Sequence, residues 1–222
     1  MTTATQPFQF VTASYLTCVE PQKAETAGEL TEALEHSSDA AIFYHMFQTL
    51  GRHHFLTEGF FNDFAQWAFA ALNQPSLGER LAGIDVRDYI EIGELRDDLH
   101  RIVSEYCASN PGLASQHAFE AFYFCRSIEV TLPLPWDAHT LAGLRAGIER
   151  LSHASFYHHF IASRLRLHFR SNDFSHWFAA ALGLDRLAEE TNRIDIYTNT
   201  LDTAQQKLIE MVDREMDQEL DQ

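Results

Sequence analysis

The sequence predicts a mostly α-helical protein: two tandem helical repeats packed about a pseudo-twofold axis, with room for a small β-element near 122–132. Three observations predict it. Phe43-Tyr44-His45 recurs as Phe156-Tyr157-His158. Asn62-Asp63-Phe64 with Trp67 recurs as Asn172-Asp173-Phe174 with Trp177, at nearly the same separation. Around both motifs, apolar residues return every three to four positions, the spacing of one helix face. Matches that keep their order through both halves mark an internal duplication. Repeat 1 is placed at 1–115 and repeat 2 at 116–222, as one compact duplicated unit.

The elements follow in order. Phe8 to Val19 alternates poorly and reads as either a strand or an irregular helix. Glu20 to Thr26 is polar, contains Pro21 and reads as a connection. Leu30 and Leu34 sit one helical turn apart, and His36-Ser37-Ser38-Asp39 supplies loop and capping residues. From Ala40 to Phe55 the pattern is helical, with Phe43, Phe47 and Leu50 on one face. Asn62 or Asp63 caps the next helix, which buries Phe64 and Trp67 and ends before Pro75. Leu95, Leu99, Ile102, Val103 and Tyr106 form a longer amphipathic helix, stopped by Asn110-Pro111-Gly112. The second half replays the series: Phe122-x-Phe124 echoes Phe8-x-Phe10, and Leu144 and Ile148 echo Leu30 and Leu34. Ile128, Val130 and Leu132 alternate as a strand would, and Pro133 and Pro135 are expected to end it.

The charge balance narrows the partners. The chain carries 32 acidic against 16 basic residues, a formal net charge of −16. Nucleic acid is excluded as a partner, because binding it needs a basic surface that releases counterions. An anionic membrane surface is disfavoured for the same reason. Cys18, Cys107 and Cys125 are odd in number and lack C-x-x-C spacing, which argues for a reducing compartment and against a disulfide framework. No secretory signal or apolar run of about 20 residues is present, so a cytoplasmic location is expected.

Residues at matching places in the two halves are the candidate ligand-binding set. They are Tyr44, His45, His53 and Asp63 in the first half, and Tyr157, His158, Arg166 and Asp173 in the second. Histidine is an awkward choice for packing beside core phenylalanines. One reading has His45 and His158 facing each other and lining a pocket, with Asp63 and Asp173 orienting them. The other has each histidine tying its own helix to its own Asn-Asp turn. Trp67 and Trp177 read as core residues that each need a partner for the indole N–H. Metal ligands are not assigned: H-E-x-x-H, H-x-x-x-H and E-x-x-H are all absent. The pairs His53-His54 and His158-His159 point about 100° apart on an α-helix, which does not suit a shared ion. No nucleophile elbow, phosphate loop or dinucleotide motif occurs, so catalytic residues and cofactors are not assigned.

The paired motifs, Phe-Tyr-His followed by Asn-Asp-Phe-x-x-Trp, resemble the uncharacterised prokaryotic family catalogued as domain of unknown function 5752. The likeness runs from about Phe8 to Glu215. That family brings no reaction to transfer, and His53 against Arg166 breaks the symmetry of any two-site mechanism. The expected function is a binding or regulatory module that recognises a small molecule or protein partner in an inter-repeat cleft. The alternatives are a metal-dependent enzyme with a histidine-lined inter-repeat site, and a purely structural subunit.

Overall fold

A computed structural model describes residues 3–52, 60–167 and 170–220 of the chain. Strand β1 (Phe8–Ala24) leads into helices α1 (Ala27–His36), α2 (Asp39–Arg52), α3 (Asp63–Ala70), α4 (Pro75–Ala82) and α5 (Ile92–Ser109), with a 3-10 turn at Val86–Asp88. A short α6 (Pro111–Ala114) precedes strand β2 (Phe122–Ala138). Then come α7 (Leu141–Glu149) and α8 (His153–Tyr157), a π-helix (His158–Ala162), α9 (Ser163–Arg166), α10 (Asp173–Leu182), α11 (Asp185–Asn192) and α12 (Leu201–Leu220).

The helices start where the sequence supplies caps. Thr26 and Thr140 accept from the backbone N–H three residues on, opening α1 and α7. Asn62 and Asn172 do the same for α3 and α10. Each aspartate that follows stands in a first turn, where the helix dipole favours its charge. Gly183, at φ 70°, ends α10 in the left-handed region open to glycine.

The expected fold class needs correction. Helix does predominate, but the β-element is not small: β1 and β2 are 17 residues each and pair as a two-stranded antiparallel sheet. Gln9 donates to Asp137 near one end, and Arg126 faces Glu20 at 3.6 Å toward the other, which marks the register. Pro21, Pro133 and Pro135 all lie inside strands that the sequence pattern closed at them. A two-stranded sheet has two outer edges, and an edge residue needs no partner for its N–H. Pro133 and Pro135, two apart, point the same way along the strand. A proline there costs no ladder bond.

The tandem-repeat description fails for a related reason. The chain divides into two compact units that do not each use one consecutive run of sequence. The C-terminal unit takes the chain up to Ser14 and again from Glu129 onward. The central unit takes Tyr15–Arg52 and the described residues from 60 to Ile128. Each strand thus gives one stretch to one unit and its remainder to the other. Two self-contained helical repeats, each from one consecutive run of sequence, are not what the chain forms.

Within the central unit, Phe122 and Phe124 at the start of β2 pack on the α2–α3 pair. Phe122 stacks on Phe64 at 5.0 Å and meets Trp67 edge-on. Leu95, Leu99, Val103 and Tyr106 bury one face of α5, which packs on α1. Within the C-terminal unit, Phe8 and Phe10 at the start of β1 do the corresponding work. Phe8 stacks on Phe174 at 5.1 Å with planes 7° apart. Phe10 presses on α7 at Gly147, where a Cβ would lie 2.1 Å from its ring, so only glycine fits. α12 packs on α7, with Leu208 and Val212 fully buried. Both tryptophans are core residues. Trp67 donates its indole N–H to the Glu120 carbonyl, and Trp177 donates to that of Gln6, each at 2.7 Å.

Candidate functional site

In the central unit, α2 delivers His45 to the start of α3. Its Nδ1 lies 2.8 Å from Asp63 Oδ2, and its Nε2 accepts the backbone N–H of Cys125 on β2 at 2.8 Å. A backbone amide can only donate, so Nε2 carries no proton. The proton is therefore on Nδ1 and is donated to the Asp63 carboxylate. His45 is a strut: one ring satisfies a helix-start carboxylate and a strand N–H, and its faces pack on Phe64 and Phe122. The Tyr44 hydroxyl is hydrogen-bonded to that of Thr17 at 3.2 Å. Tyr44, His45 and Asp63 are thus engaged in packing and local hydrogen bonds. His53 lies outside the described residues.

In the C-terminal unit the strut is His159, not His158. His159 Nδ1 lies 2.7 Å from Asp173 Oδ2, and its Nε2 accepts the N–H of Val11 on β1 at 3.0 Å. The same reasoning fixes its neutral Nδ1–H tautomer. Burial lowers its pKa below the usual histidine value, against the opposing pull of Asp173. Phe8 and Phe174 flank the ring.

The difference between the units is one residue. In α2 the strut follows Phe43-Tyr44 directly. In the C-terminal unit Phe156-Tyr157 is followed by His158, and only then by the strut, because the helix opens into a π turn at His158–Ala162. A π turn absorbs an inserted residue without breaking the helix and is frequent at functional sites. His158 is the residue displaced. It is buried, and its Nδ1 meets a carboxylate oxygen of Glu129 on β2. An ionised carboxylate only accepts, so Nδ1 donates, and Nε2 makes no hydrogen bond among the described residues. The expectation that His158 and His159 point too far apart to meet is corrected: their ring centroids are 4.8 Å apart.

His158 borders a pocket of about 380 Å³ inside the C-terminal unit. Its lining includes Phe8, His159, Arg166, Asp173, His176 and Trp177. Arg166 reaches Asp173 from α9, its Nη2 donating to both carboxylate oxygens at 2.7 and 2.6 Å. The structure therefore joins three of the eight sequence candidates, His158, Arg166 and Asp173, in one place. Tyr157 is buried in the same unit but does not line the pocket.

Glu129, His159 and the aromatic walls Phe8 and Trp177 were missed as site residues. Two sequence signals point to them. Phe156-Tyr157 is followed by two histidines where Phe43-Tyr44 is followed by one, which is the mark of the insertion. Between Glu149 and Asp173 the chain has no acidic residue, although it has 32 in all. Among the described residues, no helix is long and apolar enough to cross a membrane.

Comparison with known families matches residues 5–213 to the family described as Family of unknown function (DUF5752). The chain belongs to this family. Among solved structures, this DUF5752 chain is similar to "The structure of OrfY from Thermoproteus tenax", at a TM-score of 0.83 and 25% sequence identity. The likeness covers 96% of each chain, so the long strands and the helices fall within a shared fold. No curated protein matches the sequence.

Proposed function

We propose that this DUF5752 protein is a binding module that takes a small polar molecule in the pocket of its C-terminal unit. The observation that carries the reading is His158. The central unit orders its helix start and strand with a single histidine. The C-terminal unit uses His159 for that purpose and keeps a second, buried imidazole beside the pocket. Glu129 satisfies one ring nitrogen, and a ligand would satisfy the other. Apolar walls with a few convergent polar groups are the usual make-up of a small-molecule site. The experiment is a thermal-shift screen of polar metabolites, with native mass spectrometry of the protein as purified. A ligand is expected to stabilise the protein saturably, and to lose that effect in His158→Gln. A ligand indifferent to both His158→Gln and Arg166→Gln would sink the proposal.

A metal reading has one observation in its favour. Ligand atoms of His158, His159 and Asp173 lie within 4.8 Å of one another. Two contacts oppose it. The lone pair of His159 is already directed at the Val11 N–H, so its Nδ1 bears a proton where an ion would have to sit. Asp173 is held by Arg166, a fixed cation. Elemental analysis is expected to find less than one equivalent of any transition metal.

A further inference from the structure

We infer that the ligand of this pocket is a small anion, one bearing a carboxylate or a phosphate, held by Arg166 and His158. The inference rests on the pocket reading above and adds the chemical class. It follows from which hydrogen-bonding capacity is already used. Asp173, the carboxylate of the lining, accepts at Oδ1 from Arg166 and at Oδ2 from both Arg166 and His159. An ionised carboxylate has about four acceptor sites, so little is left for a ligand. The Trp177 indole N–H is committed to Gln6, and the His159 ring is committed at both nitrogens.

Thr5, Gln6 and Gln9 line the pocket with groups that accept as well as donate, but among its charged side chains donors are the capacity that remains. Arg166 spends only Nη2 on Asp173; its Nε–H and Nη1 protons make no hydrogen bond among the described residues, and its side chain is half-exposed. Three of its five N–H groups are thus open, the Nε–H on one side of the guanidinium and the Nη1 pair on the other, each able to donate singly to a carboxylate or phosphate oxygen. His158 has its Nδ1–H on Glu129. Its Nε2 is the ring atom that remains to meet a ligand. Exposed His176 adds a further imidazole to the lining. The local composition agrees: Arg164, Arg166 and Arg170 fall in an acid-free stretch of a chain whose net charge is −16.

The test uses the full chain, with succinate, inorganic phosphate and the neutral succinamide as probes. Affinity is read by calorimetry, and occupancy by NMR of the His158 imidazole and Trp177 indole signals. Succinate or phosphate is expected to move both signals saturably, and succinamide is not. Arg166→Gln should weaken binding by about tenfold or more, and Arg166→Lys by less, because a charge remains while the fork is lost. Near-UV circular dichroism controls for folding. If Arg166→Gln does not fold, the comparison of succinate with succinamide on the native protein decides alone. Succinamide binding as tightly as succinate, at the same signals, would overturn the anion class and leave the pocket reading standing. Anion binding unchanged in Arg166→Gln would overturn it as well. If no probe moves either signal, the anion inference fails, and the metabolite screen decides the pocket reading separately.

Discussion

At the scale of single residues, two histidines hold this protein and a third is left for other work. His159 links the start of α10 to β1 through one ring. His159→Ala would leave the Val11 N–H unpaired, take one donor from Asp173 and open a small cavity, at a cost of about 2–4 kcal/mol in chemical denaturation. His158→Ala should cost less, since it leaves no strand N–H unpaired. The depressed pKa of His159 gives a pH signature. The unfolded chain takes up this proton near pH 6.5, whereas the folded protein resists it until lower pH. Stability should therefore be full above about 6.5. It should decline as pH falls from there to the folded pKa, by at most about 1.4 kcal/mol per pH unit for this group. His159→Gln should flatten that part of the stability–pH curve, and an unchanged curve would remove His159 from the account. His45 and Asp63 were legible from sequence because α2 is a regular helix. His159 was not, because adjacent residues were placed by α-helical angles and the chain departs from them at His158.

At the scale of elements, the π turn and the strands are where sequence patterns and structure part. Periodicity found the helices because each buries one stripe, as Leu95, Leu99 and Val103 do on α5. It missed the length of β1 and β2 because prolines normally close a strand and an outer edge excuses them. Deleting His158 tests the π turn directly. The shortened sequence reads Phe-Tyr-His, as in α2, and brings His159 into line without the insertion. The variant should keep its far-ultraviolet circular dichroism and unfold cooperatively, about 1–3 kcal/mol less stable because Phe160 shifts against Phe156. Binding in the pocket should be lost. Loss of cooperative unfolding would show that the π turn is needed for folding. Gly147→Ala probes the β1–α7 contact. The gain of about 1 kcal/mol in helix propensity should be outweighed by the clash with Phe10, and net destabilisation in denaturant is expected.

At the scale of the whole molecule, the exchange of strand ends decides what can fold alone. The C-terminal unit depends on residues before Ser14 for more than covering. Phe8 and Phe10 are buried in it, Gln6 receives the Trp177 indole, and Val11 completes His159. Ala4 and Thr5 donate backbone hydrogen bonds to His139 and Ala181. Two buried phenylalanines are worth about 1.5–3 kcal/mol each, and an orphaned buried polar group costs about 1–3 more. That is comparable to the 5–15 kcal/mol that typically separates a folded domain from its unfolded chain. A fragment of residues 116–222, cut where the sequence pattern places its second repeat, should therefore not reach a native state. It should retain helix in the far ultraviolet but lack near-ultraviolet signals and a cooperative thermal transition. A synthetic peptide of residues 1–14, added in excess, should restore both by supplying the missing strand segment, with midpoints that rise with peptide concentration. A peptide with Phe8 and Phe10 replaced by alanine should fail to do so. If fragment 116–222 unfolds cooperatively on its own with native near-ultraviolet signals, the N-terminal segment is dispensable and the unit is complete without it.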